Sequence, residues 1–122
     1  MSMIQNIINS FTEWSSDNSI SPIEKASLAL QWETIKSSYA EALGQAREYP
    51  EVPVTALINK YDNLKKLVEP LLSNMGTTSS LNGEELRLAL GEYLSEDSAV
   101  RLLVQEELKK ELVYKTTNVS SE

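Results

Sequence analysis

Leu28, Trp32, Ile35, Tyr39, Ala42, Ala46 and Tyr49 follow one another at alternating spacings of four and three. That spacing returns to the same side of an α-helix every second turn, so these residues form a heptad seam rather than a strand face. Pro50-Glu51-Val52-Pro53 interrupts it. Val54, Leu57, Tyr61, Leu64, Val68, Leu71 and Met75 then repeat the pattern. Two seams joined by a short proline-bracketed turn predict a long antiparallel helical hairpin, each arm roughly 22 residues and about 33 Å long.

The start of the first arm is written in its capping residues. Ser21-Pro22-Ile23-Glu24 supplies a capping hydroxyl, a proline whose missing N–H costs nothing at the first helical position, and a glutamate at the third. Pro70 lies inside the second arm, where it removes one hydrogen bond; the apolar register crosses it, which predicts a kink rather than a stop.

Shorter helices flank the hairpin. Met3, Ile4, Ile7, Ile8, Phe11 and Trp14 share a face and predict a helix over 3–14, followed by the loop Ser15-Ser16-Asp17-Asn18-Ser19. Residues 74–82, rich in Gly, Thr and Ser, read as a second loop. Asn82 then caps a fourth helix with the face Leu86, Ala89, Leu90, Tyr93 and Leu94. Ser95, followed by Glu96 and Asp97, reads as the cap of a fifth, lined by Val100, Leu103, Val104, Leu108 and Leu112. The expected fold is all-α: about five helices in a compact bundle built around the hairpin. A single domain over 1–114 and a flexible polar tail over 115–122 complete the organisation. At 122 residues, 41% of them hydrophobic and 24% charged, the chain suits one globular domain.

Composition removes much chemistry. There is no cysteine and no histidine, which eliminates thiol nucleophiles, disulfides, imidazole bases and the usual zinc ligands. Only carboxylate chemistry is left. The pairs Glu84/Glu85, Glu96/Asp97 and Glu106/Glu107 are adjacent in sequence, and neighbours diverge by about 100° around a helix, so they do not converge on a substrate. Neither 74–85 nor the run from Asp17 carries a complete calcium ladder, and no glycine-rich phosphate loop exists. The stretch from Tyr39 to Pro53 echoes the second helix of a tetratricopeptide repeat, but no further copy follows. These residues predict a protein that is not an enzyme and needs neither cofactor nor metal.

The formal charge of −7, from 18 acids and 11 bases, is spread along the chain and offers no basic stripe for nucleic acid. No apolar run is long enough for a membrane span, and the first residues lack a signal peptide's basic region. The expected location is cytoplasmic, although signal-less export by a specialised secretion apparatus leaves the same appearance.

What remains is contact with another macromolecule. Ile23 and Leu30 point away from the first seam, Leu88 away from the fourth helix's face, and Leu102 and Val113 away from the fifth's. They are either covered within the bundle or form an apolar patch for another protein or a second copy. The acids Glu84, Glu85, Glu92, Glu96, Asp97, Glu106 and Glu107, set against Arg87 and Arg101, are either a solvated face or a surface for a basic partner. The leading expectation is a small helical protein–protein interaction module: an adaptor, chaperone or assembly subunit. The alternative is an acidic inhibitor that blocks a nucleic-acid-binding partner.

Overall fold

The computed structural model of the chain describes residues 3–120, with side chains for 5–14 and 16–113. Four helices and one minimal strand pair follow in order: α1 (Met3–Ser15), β1 (Ser19–Ile20), α2 (Pro22–Ala46), α3 (Thr55–Leu72), β2 (Ser79–Ser80) and α4 (Gly83–Ser120). The protein is mostly helical, as its periodicity predicts, but among the described residues the helices number four rather than about five.

The expected boundary at Ser95 is absent because α4 runs straight through it. Asp97 does not open a helix there. Its carboxylate accepts from Tyr93 and Arg101, one turn before and one turn after it. Leu86, Leu90, Tyr93, Asp97, Val100 and Val104 are all buried and form one continuous stripe. Val100 and Val104 of the face expected for a fifth helix join this stripe, whereas Leu103, Leu108 and Leu112 of that face are exposed, because the burial of α4 ends at Val104. At 38 residues, α4 is the longest element. The expected tail falls on residues whose side chains lie outside the described set, while the backbone of α4 runs to Ser120.

α2 begins as its sequence dictates. The Glu24 N–H donates to Ser21 Oγ at 3.2 Å and the Ser21 N–H to Glu24 Oε1 at 2.9 Å, with Pro22 in the first turn. The reciprocal bonds satisfy two N–H groups that would otherwise face water unpaired. Connection 47–54 turns the chain back into α3, where Tyr61 stacks on Tyr39 (centroids 3.7 Å, 6°) and on Trp32 (5.5 Å, 8°). α3 passes through Pro70 and ends two residues later, its Ser73 N–H bonded to the Glu69 carbonyl at 3.0 Å. Met75 is left exposed, outside the seam.

α4 packs against each of the other three helices, most extensively against α3, so the bundle is organised around α4 as much as around the hairpin. One core cluster unites Phe11 and Trp14 of α1, Leu28, Trp32 and Ile35 of α2, Leu57, Leu64 and Val68 of α3, and Leu90 and Tyr93 of α4.

The two loops lock together at one end. β1 pairs antiparallel with β2, Ser19 opposite Ser80 and Ile20 opposite Ser79. Asn18 adopts φ 54°, which asparagine tolerates. Its carbonyl accepts from the Leu81 N–H at 3.1 Å and its side chain from the Gly83 N–H at 3.0 Å. Lys25, fully buried, donates from Nζ to the Asn74 carbonyl and to Ser79 Oγ, each at 2.6 Å. A lysine in the first turns of α2 thus pins the loop before α4.

Candidate interaction surface

The inward and outward sides of α4 do different work, and the helical period separates them. The inward stripe repeats on one side and carries two polar residues in its register, Asp97 and Arg101. Asp97 Oδ2 accepts from Tyr93 Oη at 2.9 Å and from Ser38 Oγ at 3.1 Å, and its Oδ1 accepts from Arg101 Nε at 2.6 Å. Arg101 continues outward, donating from Nη1 to Glu41 at 2.7 Å and from Nη2 to the Ser38 carbonyl at 2.8 Å. This cluster floors a groove of ≈ 630 Å³ between α1, α2 and α4, lined also by Ile7, Glu33 and Leu94.

The electrostatics of the groove are those of a lock. Burial pushes the Tyr93 hydroxyl well above its ordinary value, and the charge of Asp97 and the hydrogen bond to it push further. Burial disfavours the Arg101 charge, but the hydrogen bonds to Glu41 and Asp97 outweigh it and hold the guanidinium up. Each polar group in the cluster is occupied by another, so the arrangement joins α2 to α4 and offers no activated nucleophile. Among the described residues, no group of three or more acids converges to hold a metal ion.

A pH dependence follows. Burial also raises the hydroxyls of Tyr39 and Tyr61. An unfolded chain releases tyrosine protons near pH 10, whereas the folded chain keeps these three beyond it. Their contribution to stability is complete below about pH 10 and drains away as pH rises toward the folded-state values. In an alkaline titration, tyrosinate absorbance from these residues is expected to appear together with loss of helical circular dichroism. Full ionisation of every tyrosine around pH 10 with helicity intact would contradict the assignment.

The outward side is exposed. Leu88, Leu102 and Val113 are 53%, 57% and 65% exposed and lie along one line of α4. Ile23 and Leu30, at 85% and 74%, lie two turns apart on α2. All five apolar candidates are at the surface, on two helices. Beside the α4 line, a groove of ≈ 730 Å³ is lined by Ile8 of α1 and by Leu88, Gly91, Leu94 and Ser95 of α4.

The acidic candidates do not form one free acidic surface. Asp97 is buried. Glu92 is bonded to Lys60, raising the lysine through the hydrogen bond and the adjacent charge, and Glu107 pairs with Lys110 at 3.2 Å. Glu84, Glu85 and Glu106 are exposed and Glu96 is half-buried; the helical period places these four within about 120° of one another.

Sequence reasoning missed the Tyr93–Asp97–Arg101 cluster and Lys25. A signal existed for both. Asp97 stands four residues beyond Tyr93 on the apolar stripe, and Lys25 stands three before Leu28 on the continuation of the first seam. A polar residue in register with a buried apolar stripe is carried into the core with it, as Lys25 and Asp97 are.

The chain resembles part of a tail fibre protein. That protein, from Enterococcus phage phiEF24C, is 36% identical over 97 residues, covering 80% of this chain. The chain spans only 5% of the fibre protein's length, so the likeness is to one small segment. No family model and no solved structure matches. Among the described residues, no helix is long and apolar enough to cross a membrane.

Proposed function

We propose that this chain is a helical protein–protein interaction module that works within a larger assembly of the tail-fibre kind, through the exposed line on α4. The observation that carries the reading is the row of Leu88, Leu102 and Val113, left uncovered by a bundle that buries the opposite side of the same helix as far as Val104. Exposed apolar side chains aligned on a rigid element gain stability when a partner removes them from water, about 25 cal/mol per Å² of apolar surface. Likeness to a short segment of a much longer fibre protein supports a module that acts by contact. Folding in the cytoplasm, with no disulfide needed, belongs to the same proposal.

An acidic inhibitor has less to stand on, because three of its seven acids are buried or paired. The test is site-specific photo-crosslinking in the native host. A photoreactive residue at Leu102 is expected to give discrete adducts with an identifiable second protein, while one at Glu48, exposed in the connection after α2, gives none. Failure of Leu88, Leu102 and Val113 alike to yield any adduct would remove the proposal.

A further inference from the structure

The outward line of α4 has a heptad of its own. Glu84, Leu88, Gly91, Ser95, Ser98, Leu102, Gln105 and Lys109 alternate spacings of four and three, and every one of them is exposed. This seam is separate from the one that packs the bundle, and its residue types vary in an ordered way. Small side chains occupy the middle, a leucine flanks each side, and opposite charges stand at the ends. Gly91 is open: nothing lies within 4 Å of where a Cβ would sit, and the ≈ 730 Å³ groove opens beside it. A dent beside a projecting leucine is half of a knob-into-hole pair.

We propose that a second copy of this chain docks antiparallel along this face, with Leu102 of each copy seated at Gly91 of the other. In that register Ser95 meets Ser98 and Glu84 meets Lys109, and twofold symmetry makes each pairing twice. Charge selects the orientation. A parallel pair would set Glu84 against Glu84 and Lys109 against Lys109, and would leave the dents at Gly91 facing each other unfilled. The antiparallel pair converts both repulsions into attraction and fills both dents. Neither Glu84 nor Lys109 forms an ion pair among the described residues, so both are available. The inference rests on the interaction-module reading and names one occupant of its surface.

Sedimentation equilibrium of the full chain tests it. The wild type is expected to dimerise. Gly91→Arg fills the dent and is expected to raise the dimer dissociation constant at least about tenfold, the equivalent of 1.4 kcal/mol, with helical circular dichroism unchanged. Gly44→Arg, at an equally open position on α2, should leave dimerisation intact. Glu84→Lys should weaken the dimer and the double swap Glu84→Lys/Lys109→Glu should restore it, a rescue that general destabilisation cannot mimic. A wild type that stays monomeric at its highest soluble concentration overturns the inference, as does a dimer indifferent to Gly91→Arg or a double swap that fails to restore. A monomer that still crosslinks a different protein from Leu102 sinks the dimer alone. A dimer that crosslinks nothing but itself upholds this inference and removes the wider assembly from the reading.

Discussion

Asp97→Ala is expected to destabilise the fold by about 3 kcal/mol, at the lower end of the range for breaking a buried ion pair. The carboxylate sits at the centre of three hydrogen bonds, from Tyr93, Ser38 and Arg101. Removing it leaves a buried phenol and a partly buried guanidinium facing each other without the acceptor they share. The loss stays near the lower end because Arg101 keeps Glu41 and the Ser38 carbonyl, and because its side chain retains 28% exposure to water. For a domain of this size such a loss lowers the melting temperature by roughly 10 °C. Asp97→Asn should cost less, since an amide oxygen can still accept from Tyr93. The double change Asp97→Leu/Arg101→Met should recover part of the loss by removing both charges together. A melting temperature for Asp97→Ala within a degree or two of wild type would mean that the cluster holds nothing.

Why this cluster left only a faint signal in the sequence, while other features were plain, comes down to the range of the interactions involved. The start of α2 is a local matter: Ser21 and Glu24 bond each other across Pro22, so four consecutive letters suffice. The seams of α2 and α3 are legible because burial repeats with the helical period, and Leu28, Trp32, Ile35, Leu57, Leu64 and Val68 are buried where the period places them. Ser95-Glu96-Asp97 is different. The same three residues suit a helix start or the middle of a long helix, and the decision rests on Ser38 and Glu41, far away along the chain on α2. Lys25 has the same character, because its acceptors belong to the loop after α3. The β1–β2 pair spans two residues on each side and leaves no periodic trace. At the candidate surface, the exposure of Ile23, Leu30, Leu88, Leu102 and Val113 was legible as departure from a seam. The dent at Gly91 was not, since a glycine inside a helix says nothing by itself about what stands beside it.

Phe11→Ala carries the other large expected effect, about 3–5 kcal/mol for emptying a buried aromatic site. Phe11 is 1% exposed and lies against Trp14 at 5.2 Å between ring centroids, with Ile7 buried on the same side. α1 has 13 residues, a length at which an isolated helix is marginal in water, so it persists because that apolar face is covered. Its contacts run mainly to α4, and one polar tie, from Gln31 Nε2 to Ser10 Oγ at 2.8 Å, fixes it to α2. A cavity at Phe11 therefore acts unevenly. It removes much of what holds α1 and little of what joins α2, α3 and α4 through Leu57, Leu64 and Tyr93. Local opening should precede global unfolding. In hydrogen exchange, the amides of α1 are expected to lose protection by orders of magnitude while those of α3 lose far less, and dye binding should report newly exposed apolar surface on α4. If Phe11→Ala instead raised exchange equally in every helix, α1 would be an integral part of one cooperative unit, and the view of it as a cover laid over α4 would be wrong.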